Sequence, residues 1–154
     1  MEKPQLEIKV KHFEELTLHE VYDILQLRAE VFVVEQDCVY QDIDGKDEKA
    51  LHIIGYYNDK IVAYTRCFAP NIYFEEAAIG RVVVNKTHRK FGFGHDILEA
   101  SVKAIENHYQ TRTIKLSAQQ YLTKFYESHQ FVQIGDGYLE DGIPHIGMIK
   151  KEKA

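Results

Sequence analysis

Leu6, Ile8 and Val10 alternate with Glu7, Lys9 and Lys11, a period of two that predicts a half-buried strand over 5–12. Thr17-Leu18-His19-Glu20 reads as a capping box: the Thr17 hydroxyl can accept from the Glu20 N–H while the Glu20 carboxylate reaches back. Leu16 and Val21 stand where a hydrophobic staple would close over it. A helix is predicted from there to about Phe32, with Leu18, Val21, Leu25 and Phe32 on its buried face. Asp42-Ile43-Asp44-Gly45-Lys46-Asp47 interrupts the pattern and predicts a loop. Two β-rich runs, 49–57 and 60–68, meet at Asn58-Asp59, a hairpin signal. Residues 77–84 are almost continuously apolar, as in a strand at a sheet centre. Leu98, Ser101, Val102, Ile105 and Tyr109 recur at helical spacing, and Ile114, Leu116 and Ala118 alternate as a strand. Leu122, Phe125, Tyr126 and His129 mark a short helix, and two strands flank Glu140-Asp141-Gly142. The predicted order is β-α-β-β-β-α-β-α-β-β, and its central strand–loop–helix–strand unit implies a parallel pair.

Composition narrows the class. The chain has 154 residues, 45% hydrophobic and 28% charged, which fits one globular domain spanning 1–154. Two cysteines, Cys38 and Cys67, are too few for a disulfide framework and suit a reducing, cytoplasmic setting. No apolar stretch follows Met1-Glu2-Lys3-Pro4, so no signal peptide is expected, and no run approaches a membrane span. The net charge of -5 argues against nucleic acid as a partner and weakly favours an amine-bearing substrate. Lys150-Lys151-Glu152-Lys153 reads as a solvated tail.

Candidate chemistry lies at Arg89-Lys90-Phe91-Gly92-Phe93-Gly94, between the apolar strand and the next helix. A helix start offers unpaired N–H groups and partial positive charge, and glycines admit a phosphate without a Cβ in the way. Lys86, His88, Arg89 and Lys90 add cations. A Rossmann fingerprint is excluded because the third glycine is missing, and a P-loop because His95-Asp96 follows Gly94.

Arg89-x-x-Gly92-x-Gly94 after an apolar strand resembles the coenzyme A loop of the GNAT acyltransferase superfamily. Lys115-Leu116-Ser117-Ala118-Gln119, then Phe125-Tyr126-Glu127 and Phe131, is similar to a second segment of that superfamily. More narrowly the chain resembles the ElaA-like subgroup. The matching pieces are Leu27-Arg28-x-x-Val31-Phe32-Val33-Val34-Glu35-Gln36, Asp44-Gly45-x-Asp47, Ile79-Gly80-Arg81-Val82-Val83 and Tyr138-Leu139-Glu140-Asp141-Gly142-Ile143-Pro144-His145-Ile146.

The resemblance implies an α/β (α+β) GNAT fold: a mixed, mostly antiparallel sheet with a central splayed parallel pair and helices on both faces. It implies acetyl-coenzyme A as co-substrate, no metal, and direct attack on the thioester by a primary amine of a small molecule or peptide. Val82, Val83 and Val84 would pair with the pantetheine arm, and amides from Lys90 through Phe91, Gly92, Phe93 and Gly94 would hold the pyrophosphate, with Arg89 steadying them. Gln119 lies where many members carry asparagine. Tyr126 matches the family's proton donor. Ala78 replaces the glutamate base of many protein-directed members, leaving Glu76, Glu35, His52, Glu140 and His145 as candidates, or water. Among these, His145 and Glu76 are assigned catalytic roles, and Phe32, Glu35, Gln36, His52 and Glu140 are assigned to the acceptor side. A homodimer is compatible with the fold; a non-catalytic acyl-coenzyme A sensor is the alternative reading. Gln130 replaces the usual helix-ending glycine, which leaves that helix end open.

The acidic run Asp37, Asp42, Asp44, Asp47 and Glu48 does not make a calcium loop, because Tyr40 and Leu51 would fall at ligand positions. It reads as a structured loop first, and second as a wall attracting a cationic amine.

Overall fold

The computed structural model describes residues 3–151. Strands β1 (Glu7–His12), β2 (Leu51–Tyr57), β3 (Lys60–Phe68), β4 (Ala77–Val84), β5 (Ile114–Gln119), β6 (Val132–Glu140) and β7 (Ile143–Lys150) join one sheet in the order β1-β2-β3-β4-β5-β7-β6. Among the described residues, only β4 and β5 pair in parallel. A parallel pair needs a crossover, and helix α2 (Phe93–Tyr109) supplies it. The β2–β3 hairpin turns on Asn58 and Asp59, both left-handed at φ 50° and 62°, as a two-residue turn that follows the strand twist requires.

Helix α1 (Leu18–Arg28) starts on the expected capping box: Thr17 Oγ1 accepts from Glu20 N at 3.1 Å, and Glu20 Oε1 accepts from Thr17 N at 2.9 Å. Beyond Arg28 the coil widens into a π-helical stretch, Ala29–Glu35. The buried face differs from the expected one. Ile24, Leu27, Arg28 and Val31 face inward, whereas Leu18 is 88% exposed and Val21, Leu25 and Phe32 are half-buried. The true stripe follows i, i+3, i+4, i+7, and the charge of Arg28 disguises it.

Helices α2 and α3 (Thr123–Glu127) share one face of the sheet. Phe93, Ile97, Leu98 and Ile105 of α2, with Tyr126 of α3, pack there on Ile53, Val62, Ile79, Leu116 and Met148. Helix α1 covers the other face through Ile54, Tyr64 and Val83. Strand alternation then sets the remaining side chains. Because Ile114, Leu116 and Ala118 enter the α2-side core, Lys115, Ser117 and Gln119 face the α1 side. Likewise Thr65 bonds Ser101 of α2, so Tyr64, Arg66 and Phe68 face α1.

Two chain ends revise their readings. Gln130 takes the left-handed conformation itself, at φ 66°, and the Lys150 ammonium donates to its side-chain oxygen at 3.3 Å. Lys150 is also no tail residue: it closes β7 and donates to the His129 carbonyl at 3.0 Å. Glu152 and Lys153 lie outside the described residues.

The acidic loop is structural. Asp42 accepts from Arg28 Nε at 2.8 Å and Arg81 Nε at 2.7 Å, Asp44 accepts from Arg66 at 2.8 Å, and Asp47 bridges Arg28 and Arg66 at 2.8 and 3.0 Å. Arg28 and Arg66 are fully buried. Three guanidiniums meet three carboxylates, so the cluster carries no net charge to attract a cationic amine.

Candidate active site

The parallel pair holds together only at its start. Ala77 faces Ile114 and Ala78 faces Lys115; no further β4–β5 pairing occurs among the described residues. The cause is local to β4. Arg81 sits at φ 51°, a conformation costly for a side-chain-bearing residue, and the β3–β4 register shifts at that point. A bulge re-aims the strand, so Val83 and Val84 resume pairing with Tyr64 and Ala63 of β3 while the other edge of β4 faces an opening. The Arg81 side chain is anchored on Asp42, through Nε to Oδ1 at 2.7 Å and Nη2 to the backbone carbonyl at 3.1 Å.

That opening widens into a cleft of about 490 Å³. Val82, Val83 and Val84 line one wall, and Leu116, Ser117 and Gln119 line the other. At its outer end, a 3₁₀ turn (Lys86–Phe91) leads to Gly92 at φ 74°, which starts α2 with no side-chain cap. The His95 amide bonds the Gly92 carbonyl at 3.1 Å, which leaves the Phe93 and Gly94 amides at the open end of the helix. Gly92 and Gly94 line the cleft; a Cβ on Gly94 would lie 3.4 Å from the Phe125 ring. Lys90 and Phe91 are not among the cleft-lining residues, and the Phe93 side chain is fully buried in the core, so this loop offers backbone to a ligand and keeps its aromatic rings inside. Tyr57, His88, Phe91 and Phe93 form a cluster of mostly tilted rings beneath it.

Arg89 is held in place twice. Its Nε donates to the Val84 carbonyl at 3.1 Å, and its two terminal nitrogens donate to Glu35 at 2.5 and 2.7 Å. The paired guanidinium holds the Glu35 carboxyl below its usual range. Glu35 is thus committed to the loop rather than to the cleft.

Tyr126 is 4% exposed and lines the cleft with its hydroxyl unbonded among the described residues. Burial pushes its phenol well above the ordinary value, so it is a protonated donor at neutral pH. His145 enters the same cleft opposite Gln119 in the β5–β7 register. Its Nδ1 lies 2.7 Å from the Ile143 carbonyl, which can only accept, so Nδ1 carries a proton. Glu140 Oε2 stands 3.3 Å from its Nε2. Gln36 and Gln119 exchange two side-chain amide bonds, at 3.1 and 3.2 Å, across the cleft. Phe32 and Glu140 line it as well.

Two sequence candidates lie elsewhere. His52 is buried among Tyr64 and the acidic loop, with Nδ1 2.6 Å from the Tyr64 hydroxyl and Nε2 2.9 Å from the Asp47 carbonyl. Glu76 precedes β4 and is not among the cleft-lining residues. Conversely, Arg66, Tyr40, Tyr73, Phe74 and Ser117 line the cleft without having been singled out. Arg66 had a readable signal, a lone charge inside the apolar run 61–68; the aromatic residues of the β3–β4 loop had none.

A family model described as an acetyltransferase (GNAT) domain matches residues 14–152. Protein ElaA of Escherichia coli is 41% identical over 142 residues, covering 91% of this chain and 93% of that one. A solved acyl-CoA N-acyltransferase from Pseudomonas aeruginosa is 41% identical, covers 94% of this chain and 99% of its own, and superimposes with a TM-score of 0.88. The crystal structure of Escherichia coli ElaA gives the same TM-score at 39% identity, with 96% and 100% coverage.

Proposed function

Because the chain belongs to the GNAT acetyltransferase family, we propose that it transfers an acetyl group from acetyl-coenzyme A to a primary amine by direct attack. The observation that carries this reading is the opened β4 edge running into an uncapped helix start at Gly92. Strand hydrogen-bonding groups left free by the bulge suit an extended amide-bearing arm, and the α2 amides suit a pyrophosphate. A Cβ-free Gly94 keeps the approach clear. Acetyl-coenzyme A, when bound, supplies the acyl group as an activated thioester.

The side chains divide the proton transfers. His145 Nε2 accepts a proton from the incoming ammonium, and the adjacent Glu140 carboxylate stabilises the imidazolium that results. As the C–N bond forms and the C–S bond breaks, Tyr126, kept neutral by burial, donates to the departing sulfur, and its phenolate recovers the remaining proton of the attacking nitrogen. Gln36 and Gln119 hold the two cleft walls together beside the reacting centre. The two cysteines remain separate thiols, in keeping with a cytoplasmic enzyme.

The test is release of free thiol from acetyl-coenzyme A in the presence of an amine panel, for wild type and Tyr126→Phe. Tyr126→Phe is expected to lower turnover by about 10²-fold or more, the usual scale of a lost general acid, with coenzyme A affinity changed less than twofold. Binding without thiol release across the whole panel would favour a sensor instead. Unchanged turnover in Tyr126→Phe would remove Tyr126 from the mechanism.

A further inference from the structure

The α1 side of the cleft ends in a chamber whose walls are aromatic. Phe68 and Tyr73 stack at 5.3 Å between ring centroids, and Tyr73 meets Phe74 edge-on at 4.9 Å. Tyr40 and Phe32 line the cleft on the side of the acidic loop and the π-helical stretch. The β3–β4 loop that brings Tyr73 and Phe74 there is pinned by the Asn71 N–H, which bonds the carbonyls of Phe74 at 2.8 Å and Glu75 at 3.1 Å.

Four of these rings already carry a cation on one face. Lys46 lies 4.9 Å over Tyr73, Lys115 4.7 Å over Phe74, Arg66 5.2 Å from Phe68 and Arg81 5.8 Å from Tyr40. A ring whose negative face is taken is a poor host for a further cation, and its remaining surface serves apolar or aromatic contact. The carboxylates in the cleft that no arginine neutralises among the described residues, Glu140 and Asp141, lie at the β6–β7 turn beside His145. Charge and apolar surface are therefore separated along the cleft.

We propose that the acceptor is a monoamine carried on an aromatic body. Its ammonium meets Glu140 and His145, and its ring enters the chamber of Phe68, Tyr73 and Phe74. The proposal rests on the transferase reading above and adds the acceptor's class to it. Strand geometry sets the reach. Gln119 faces His145 across β5–β7, and Lys115 on the same face of β5 touches Phe74. At about 3.3 Å per residue, that is about 7 Å from Gln119 to Ser117 and about 13 Å to Lys115. A ring joined to its amine by a short alkyl chain reaches between these two positions. A polyamine would place its second charge among Lys46, Lys115 and the cation-covered rings, and is disfavoured.

The test compares 4-phenylbutylamine, butylamine and spermidine by equilibrium binding to the full-length protein, with and without coenzyme A, and by thiol release from acetyl-coenzyme A. 4-Phenylbutylamine is expected to bind and react at least tenfold better than either of the others. Phe74→Ala and Tyr73→Ala are expected to erase that preference, bringing the ratio of 4-phenylbutylamine to butylamine binding to about one. Equal or tighter binding of spermidine or butylamine would overturn the aromatic class even if thiol release is robust. Failure of wild type to bind coenzyme A would overturn the transferase reading, and amine selectivity of the free protein would still decide the acceptor class.

Discussion

Removing Asp47 tests whether the buried cluster holds the fold. Asp47 Oδ1 is shared by Arg28 and Arg66, both fully buried. Asp47→Ala changes three positive and three negative groups into three against two, leaving one guanidinium uncompensated inside the protein. Breaking a buried pair from one side costs about 3–5 kcal/mol, mostly the desolvation of the abandoned charge. The Asp47 side chain is 15% exposed, so water enters part of the gap and the lower figure, about 3 kcal/mol, is expected. That is a large part of the about 5–15 kcal/mol that stabilises a typical domain. Urea unfolding followed by circular dichroism measures it: with a slope of about 2 kcal/mol/M, the midpoint should fall by about 1.5 M. Asp47→Asn, which keeps the shape and loses the charge, should show most of the effect. Glu106→Ala, which breaks the exposed Arg112–Glu106 contact, is the control and should shift stability by less than about 0.5 kcal/mol. A loss below about 1 kcal/mol in Asp47→Ala would mean these pairs are as solvent-screened as surface ones, and the argument would fail.

Other expectations follow from the same geometry. Burial would raise the carboxyls of Asp44, Asp47 and Glu20, but Arg66, Arg28 and Lys11 with their hydrogen bonds hold all three below the usual range, Glu20 at about 2. Depressed native values mean stabilisation that is complete above the unfolded carboxylate range and lost as pH falls through the native values, so the urea midpoint should hold from pH 7 to about 4 and drop below that; a decline already complete by pH 5 would implicate histidines instead. Gly92→Ala has room for its Cβ, 3.6 Å from Lys3 Nζ, but must keep φ 74°, so it should cost about 1 kcal/mol and weaken coenzyme A binding measured by titration calorimetry. Affinity equal to wild type would show that the cradle does not depend on that conformation. Arg81→Gly should be more stable than Arg81→Ala by about 1 kcal/mol, because both lose the Asp42 anchor and only glycine adopts φ 51° freely; equal midpoints would deny any strain at Arg81.

Much of this architecture was legible in the chain. A continuous apolar run placed β4 at Ala77–Val84, and the capping box at Thr17 started α1, because both signals are local. The glycine loop pointed to an anion for the same reason. What stayed hidden depends on long-range partners. The face of α1 could not be read while Arg28 lacked its partners at Asp42 and Asp47, and His52 looked available until Tyr64 and the Asp47 carbonyl engaged it. Glu35 read as an acceptor-side acid because Arg89, far along the chain, neutralises it only in the fold. Tyr73 and Phe74 lie in a loop without periodicity, so only the folded β3–β4 connection brings them to the cleft.

The Arg81 bulge has a kinetic consequence. A guest strand entering an intact parallel sheet would first have to peel one ladder from the other and wait for that rare opening. Here the separation is held from outside, by a guanidinium gripping the Asp42 loop. The gap is preorganised, so the encounter rate should be set by diffusion and docking rather than by sheet breathing, and little of the binding energy should go into reshaping the protein.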